Sequence, residues 1–296
     1  MPPRDLFLYR CYLWLSSRIR FQSELLWHWP CDKVAGIQQP EVVRKMAKPK
    51  NWSSPTLLMD ALELAARFSF ITNALRYCGP KEANEQFRRY FSTKGNAKEV
   101  RESLLRFEGL PPYLSAIAKK HGLGMFDGQV VEAYWLGNEL LDGFTIDDLK
   151  AIVDGLVARG LPQPVGNRLK AEMPTGFVPH HNFNVFYVGV GRTTGSVPTT
   201  VQNMDNCRIS SGKVAEVIGT NLIVATTTLA ERDGKIIEEE STKTIAYLPE
   251  LMPDVKKGDV VAIHWGFAPL VLTAKQEKNL RKYSGIVLRV YTEKCS

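Results

Sequence analysis

The sequence predicts an α+β protein, in which an N-terminal helical domain precedes a small OB-like β-barrel with a C-terminal helix. Two observations support this class. In the first half of the body, apolar residues recur at a spacing of three to four, which is typical of amphipathic helices. Beyond Pro179, short runs of β-branched and aromatic residues alternate with Gly-containing turns, which is typical of strands. We therefore predict a helical domain over residues 59–172 and a β-domain over residues 173–296, with the barrel at about 207–275.

The segment 1–58 differs from the rest of the chain. It contains four of the six Trp residues, and nine Lys and Arg against four Asp and Glu, so most of the formal net charge of +7 belongs to it. Arg10 interrupts its apolar run and no small-residue cleavage site follows, so a signal peptide is a poor fit. Three interpretations stay open: an upstream start codon with the natural start at Met46 or Met59, an extra helix, or an interfacial membrane anchor.

The helical domain is predicted from apolar faces and capping signals. Asp127 is the predicted N-cap of a helix over residues 129–136, and Thr145 with Asp148 resembles a capping box for residues 146–158. Together with three or four further helical segments, these signals predict a bundle of five or six helices. The first helix has one apolar face, formed by Leu57, Leu58, Ala61, Leu62, Leu64, Ala65 and Phe68.

The pair His180-His181 opens the first predicted strand, which covers residues 180–188. Neighbouring residues of a strand point to opposite faces, so both imidazoles cannot bind one ion without a bulge. His181 shares its face with Phe183 and Val185 and is predicted to be buried. His180 is therefore the better site candidate of the two.

The remaining β-domain follows from strand and turn signals. Asp233-Gly234 is a hairpin signal, because both residues tolerate the positive φ that tight hairpin turns require. A helix over 273–283 and a last strand over 286–291 complete the chain. The intervening strands are predicted at 213–218, 222–229, 243–248 and 259–265.

Composition and missing motifs exclude several classes of function. No stretch of eighteen apolar residues is present, so we predict no membrane span. The body has no basic stripe of the kind that binds a phosphate backbone, which argues against nucleic acid. An odd number of Cys residues without a CxxC pair indicates a reducing, cytoplasmic location. The glycines of residues 189–195 resemble a dinucleotide-binding loop, but no helix signal follows them.

Two short motifs carry the candidate chemistry. Cys207 lies five residues before Gly212, and His264 follows a predicted strand that begins at Gly258-Asp259. A thiol at the start of one strand and an imidazole at the end of another are predicted to meet at one rim of the barrel, as a two-ligand site for a soft metal. Arg208 is predicted to lower the pKa of the adjacent thiol.

These motifs resemble the HypC/HupF family of small chaperones, which assemble the iron centre of NiFe hydrogenases. The resemblance implies an OB-like barrel and a cargo of iron that carries cyanide and carbon monoxide. It also implies that Cys207 binds this iron and His264 assists, although Cys207 is internal here, which excludes an amine ligand. The partners would be a HypD-type iron scaffold protein and the precursor of the hydrogenase large subunit. The matching residues are Cys207, Gly212, Lys213, Val214, Pro253, Val255, Gly258, Asp259, His264, Gly266, Phe267 and Ala268.

A second resemblance covers the whole body of the chain. Residues 76–80 and 131–138 are similar to segments of an uncharacterised bacterial family that is associated with hydrogenase gene clusters. The residues predicted to contact a partner or to line a groove are Gly212, Lys213, Gly258, Asp259, Gly266, Phe267, His180, Glu132 and Asn138.

The sequence favours an assembly chaperone over an enzyme, with two alternatives left open. The first is a metal- or thiol-dependent enzyme that reuses the barrel, with Cys207, His264 and His180 in the active site. The second is a protein-interaction module that has the barrel but binds no metal.

Overall fold

A computed structural model of the protein describes residues 59–294. The three interpretations of the segment 1–58 lie outside the described residues. Cys11, Cys31 and Cys295 also lie outside them. Within the described part, no helix is long and apolar enough to cross a membrane.

The first part of the described chain is helical, as the sequence predicts. Asp127 caps α5 by accepting a hydrogen bond from the backbone N–H of Gln129. Thr145 and Asp148 form the predicted capping box at the start of α6. Both sequence predictions are therefore confirmed. The helices are α1 (Ala61–Ala74), α2 (Ala83–Thr93), α3 (Ala97–Leu105), α4 (Leu110–His121), α5 (Gly128–Trp135), α6 (Ile146–Val157) and α7 (Gln163–Ala171).

The strand predicted over residues 180–188 is wrong. Helix α8 (His181–Phe183) begins there and continues as a π-helical segment, Asn184–Gly189. Nearly all of these residues are buried. Asn182, a polar position of the predicted strand, is buried and hydrogen-bonded to the backbone of Ile209, so the alternation of polar and apolar residues does not mark an exposed face. His180 starts the helix, since its Nδ1 accepts the N–H of Asn182.

A five-stranded mixed sheet with the order β4-β1-β2-β3-β5 follows helix α9 (Val201–Cys207). Neighbouring strands are antiparallel except β3 and β5, which are parallel. The predicted hairpin turn is confirmed between β2 and β3, where Asp233 and Gly234 both have positive φ. The strands are β1 (Ser210–Ile218), β2 (Asn221–Arg232), β3 (Lys235–Tyr247), β4 (Val260–Ile263) and β5 (Phe267–Ala268).

The sheet confirms the α+β class but not a closed barrel. Isolated bridges join His264 to Phe267 and Val261 to Val271, yet β4 and β5 stand at opposite ends of the strand order. A closed OB-like barrel therefore stays a prediction.

A single long helix, α10 (Ala274–Lys294), ends the described chain. The strand predicted over 286–291 is wrong, because Leu280, Tyr283 and Val287 form a buried stripe at helical spacing. The C-terminal helix of the predicted fold class is confirmed.

The helices and the sheet share one hydrophobic core, which extends from α1 to α10. Arg67 on α1 shows the connection: its guanidinium donates to Glu63 and also to the carbonyl oxygen of Leu251, beyond β3. The predicted domain boundary between residues 172 and 173 stays a prediction.

Candidate metal centre

Cys207 and His264 lie next to each other because β1 pairs with β4. Cys207 is the last residue of α9, shortly before β1, and His264 directly follows β4. Ser210 pairs with Ile263, which brings the two segments together. The Cys207 sulfur lies 4.0 Å from Nε2 of His264. The sequence predicts this meeting, although Cys207 ends a helix rather than opening a strand.

A second imidazole faces the same sulfur. Nε2 of His181 lies 3.8 Å from the Cys207 sulfur, and the ligand atoms of His181, Cys207 and His264 all lie within 4.8 Å of one another. His181 is buried, as the sequence predicts, but its ring faces the thiol. His180, the predicted site candidate of the pair, is fully buried and caps α8. The adjacent pair was the only signal for a role of His181 in the site.

Hydrogen bonds orient both imidazoles. Nδ1 of His264 lies 2.9 Å from the carbonyl oxygen of Phe68, so Nδ1 carries the proton and Nε2 presents its lone pair. Nδ1 of His181 lies 3.0 Å from the hydroxyl of Tyr134, and its Nε2 lies 3.0 Å from the carbonyl oxygen of Cys207. Metal binding by this Nε2 requires the Nδ1–H tautomer, with the Tyr134 oxygen as acceptor and the Cys207 carbonyl displaced.

Burial keeps these groups neutral. It raises the pKa of the Cys207 thiol to about 12, an effect that the nearby Trp265 opposes. It lowers the pKa of His264 to about 4, against a smaller effect of the Phe68 carbonyl. The pKa of His181 is also well below its usual value, mainly through burial and then through His264 and His180. The site therefore offers a thiol and two neutral imidazoles, and a bound metal ion would displace the thiol proton.

The two sulfur–nitrogen separations are close to those of one four-coordinate metal ion. Zn–S and Zn–N bonds of usual length at tetrahedral angles place sulfur and nitrogen about 3.6 Å apart. The observed distances from the Cys207 sulfur, 3.8 Å to His181 and 4.0 Å to His264, exceed this by only a few tenths of an ångström. Thiolate and imidazole suit borderline-soft ions such as iron, zinc and copper. Three protein ligands leave a fourth position open.

Aromatic rings form the wall of the site. Trp135 stacks on the His181 ring with centroids 4.7 Å apart and on the Phe68 ring with centroids 5.0 Å apart. The three candidate ligands line a cavity of about 60 Å³, whose outer side is formed by part of the loop 189–197. That loop contains half-buried and exposed residues, so only a short segment of chain separates the ligands from the surface.

A buried charge network fixes the end of α9. Asp205 accepts hydrogen bonds from Arg208 and Thr228 and from the Lys243 ammonium, which lies 2.6 Å away. The Arg208 guanidinium also contacts Glu238 and therefore points away from the thiol. The prediction that Arg208 lowers the pKa of Cys207 is wrong, since its charge is compensated by carboxylates and burial dominates.

Of the predicted groove residues, two lie in a real groove. Lys213 is exposed and Gly212 buried, and both line a groove of about 820 Å³ between the sheet and α10. A Cβ at Gly212 would lie 2.9 Å from Ile263 Cδ1 and 3.0 Å from Val224 Cβ, so a larger residue there would displace these side chains. Their contact with a partner stays a prediction.

The other motif residues form turns or pack in the core. Gly258 and Gly266 have positive φ, and Asp259 accepts the N–H of Lys256 within its turn. Phe267 is buried, with its ring 5.6 Å from that of Phe70. Phe267 is therefore a packing residue in this structure.

The two groove candidates from the helical part are also structural. Glu132 accepts a hydrogen bond from Gln276 of α10. Asn138 is buried and caps the 3₁₀ turn Glu139–Leu141 through the N–H of Leu140. Neither residue lies in the groove or in the cavity.

The profile of one protein family, "Family of unknown function (DUF6390)", matches residues 59–296. The chain belongs to this family. No curated protein and no solved structure matches it. In this member of DUF6390, the matched region contains His181, Cys207 and His264, and therefore the whole candidate centre.

Proposed function

We propose that this DUF6390 protein is a metallochaperone that binds a soft metal group through Cys207, His264 and His181 and releases it to another protein. The observation that carries the proposal is the convergence of one thiol and two imidazole nitrogens within 4.8 Å. In line with the HypC/HupF resemblance, the cargo is iron with cyanide and carbon monoxide ligands. The recipient is the precursor of the large subunit of a NiFe hydrogenase, and a HypD-type scaffold protein supplies the iron.

The chemistry of the thiol supports reversible binding. On loading, a bond forms between the Cys207 sulfur and iron, and the thiol proton leaves to solvent. On delivery, a cysteine thiolate of the recipient replaces Cys207 on the iron, and the Cys207 sulfur takes up a proton again. The high pKa of the buried thiol, about 12, favours the protonated form once the metal has left. Iron keeps its oxidation state throughout.

The size of the cavity sets a condition on loading. A cavity of about 60 Å³ holds only a few water molecules. Iron with several diatomic ligands needs more, so we expect the loop 189–197 to move outwards when cargo enters. The larger groove beside Lys213 lies on the sheet face next to α10, and we assign partner contact to it.

Anaerobic purification with infrared spectroscopy tests the proposal. The protein is co-expressed with the hydrogenase maturation machinery, and the bands of bound cyanide and carbon monoxide are recorded for wild type, Cys207→Ser and Cys78→Ser. Cys78 is the matched control, because it is the other thiol that lines the cavity among the described residues but lies outside the cluster of three ligands. We expect bands in wild type and Cys78→Ser and none in Cys207→Ser.

Two outcomes contradict the proposal. Bands of equal strength in wild type and Cys207→Ser would remove Cys207 from the mechanism. No bands and no iron in any of the three proteins would exclude iron delivery.

The burial of all three ligands favours one second candidate, a metal-dependent enzyme acting on a small molecule. A concave site with a few buried polar groups is typical of small-molecule binding. A purely thiol-based mechanism is disfavoured, because a thiol with a pKa of about 12 is almost entirely protonated at neutral pH. Tightly bound metal that stays with the protein in the presence of the hydrogenase precursor would support the enzyme.

A further inference from the structure

Three hydrogen-bond donors in the wall of the cavity have no partner. They are Nε1 of Trp135, Nε1 of Trp265 and the hydroxyl of Ser69, and none has an acceptor among the described protein atoms. All three residues line the cavity that contains the thiol and the two imidazoles. Ser69 is 1% exposed and Trp135 is 4% exposed, so bulk water does not satisfy them.

Each of the three donor residues contacts a candidate ligand or is next to a residue of the site in the chain. Trp135 stacks on His181. Trp265 follows His264 in the chain, and its indole lies near the Cys207 sulfur without the geometry of a hydrogen bond. Ser69 follows Phe68, whose carbonyl orients His264. The residues that carry the three donors therefore line the same cavity as the metal-binding residues.

Leaving such groups unpaired destabilises the protein. A buried donor without an acceptor costs about 1–3 kcal/mol. An acceptor that enters the cavity recovers this free energy, whereas a bare metal ion, which has no lone pair to offer, does not. The wall contains donors and aromatic rings, so it favours a small anion over a cation or an apolar group.

We infer that Trp135, Trp265 and Ser69 recognise the anionic diatomic ligands that the metal brings with it, by donating to the nitrogen of metal-bound cyanide. The inference rests on the proposed function and deepens it. The site then selects metal that already carries cyanide over the bare ion. Metal-bound carbon monoxide gains little from these donors, because its oxygen is a weak acceptor.

Titration of the purified full-length protein with ferrous iron and then with potassium cyanide tests this inference under anaerobic conditions. The variants are Ser69→Ala, Trp135→Phe and Trp265→Phe. Thr72→Val is the matched control, because the Thr72 hydroxyl also belongs to a residue that lines the cavity but already donates to the carbonyl oxygen of Ser69. Iron affinity is measured first, and the affinity for cyanide and its infrared stretching band are measured second.

We expect all variants to bind ferrous iron as wild type does. Each lost donor weakens cyanide binding by about tenfold or more, as expected for a hydrogen bond to a charged group, and shifts the cyanide band. Thr72→Val and the binding of carbon monoxide are unaffected. Transfer of wild type into D₂O also shifts the cyanide band, which provides a test even where a Trp variant fails to fold.

Failure of the inference and failure of the proposed function give different results. Unchanged cyanide affinity and an unchanged band in Ser69→Ala and the Trp variants, with iron bound, would overturn the inference alone. So would iron binding without cyanide binding in wild type. Absence of iron binding in wild type would overturn both.

Discussion

At the scale of single residues, the Cys207 thiol is a metal ligand rather than a ready nucleophile. Burial raises its pKa to about 12, and the two imidazoles beside it are neutral. Neither can stabilise a thiolate as a charged histidine would. A metal ion supplies the missing positive charge, so ionisation of the thiol and metal binding occur together.

This environment predicts slow alkylation. In the metal-free folded protein at pH 8, iodoacetamide should modify Cys207 about a thousandfold more slowly than an unperturbed thiol, because the thiolate fraction is smaller by that factor. Peptide mass spectrometry measures the rate, and the urea-unfolded protein is the control. Rapid labelling of Cys207 in the folded state would contradict the assigned burial.

The buried histidines predict a pH dependence of stability. Burial lowers the pKa of His180 to about 3 and that of His264 to about 4, whereas the unfolded value is about 6.5. The unfolded chain therefore binds protons that the folded protein cannot bind. The free energy of unfolding is retained above pH 6.5 and decreases as the pH falls from there towards the folded pKa values.

Replacement of His180 tests whether the free energy of unfolding decreases as the pH falls. Asn at this position can still cap α8 but does not titrate, so His180→Asn should reduce the pH slope between pH 6 and pH 4 by up to about 1.4 kcal/mol per pH unit. Urea unfolding at several pH values measures the slope. His121→Asn, at an exposed histidine, is the control. An equal slope in wild type and His180→Asn would show that His180 is protonated in the folded state.

At the scale of elements, the position of Cys207 depends on how α9 joins the sheet. The Asp205 carboxylate accepts a hydrogen bond of 3.0 Å from the backbone N–H of Leu229 on β2. It also forms ion pairs with Arg208 and Lys243. The last turn of α9 is thus fixed to β2 and β3 two residues before the thiol.

Asp205→Asn should be strongly destabilising. It removes the buried carboxylate that pairs with Arg208 and Lys243 and leaves Arg208 only the more exposed Glu238, and breaking a buried pair costs about 3–5 kcal/mol. Asp154→Asn, which removes one half of the surface pair with Lys170, should cost at most about 1 kcal/mol. Denaturant unfolding compares the two variants. Similar small losses would show that the Asp205 network does not anchor α9.

The loop over the cavity depends on glycine. Gly191 has a φ of 76°, and a Cβ there would lie 1.9 Å from the carbonyl oxygen of Val197. Gly195 has a φ of 69° and open space around it. Gly195→Ala should cost about 1 kcal/mol from backbone strain alone, and Gly191→Ala clearly more, because the loop must also rearrange. Thermal unfolding measures the difference, and equal costs would contradict the observed loop conformation.

At the scale of the whole molecule, the candidate centre needs both the helices and the sheet. Phe68 of α1 orients His264, and Tyr134 of α5 contacts His181, while Cys207 and His264 lie at the ends of α9 and β4. The β-domain therefore supplies the three ligands, and the helices supply the groups that orient the two imidazoles.

A shared core predicts cooperative unfolding. Amides near Leu114 in α4 and Val224 in β2, both fully buried, should exchange hydrogen with the same opening free energy. Hydrogen exchange at increasing, sub-denaturing urea measures both in the full chain. A much lower opening free energy for β2 would support two independent domains divided near residue 172.

Predictions from the sequence were correct where they depended on neighbouring residues, as helix caps and tight turns do. The caps at Asp127 and Thr145 and the turn at Asp233 follow from the chemistry of neighbouring residues, and the structure confirms them. The strand predictions for residues 180–188 and 286–291 were wrong, because the polar and apolar pattern of so short a run suits a helix as well as a strand. Packing on all sides decided between the two.

For the candidate centre, the sequence by itself determined the α+β class and the neighbouring positions of Cys207 and His264, because strand ends that carry a motif meet when the strands pair. Only the tertiary structure added His181, directed Arg208 away from the thiol and surrounded the site with unpartnered donors. The physical reason is that these features depend on contacts between residues far apart in the chain. Their directions and burial are set by packing, which no local pattern encodes.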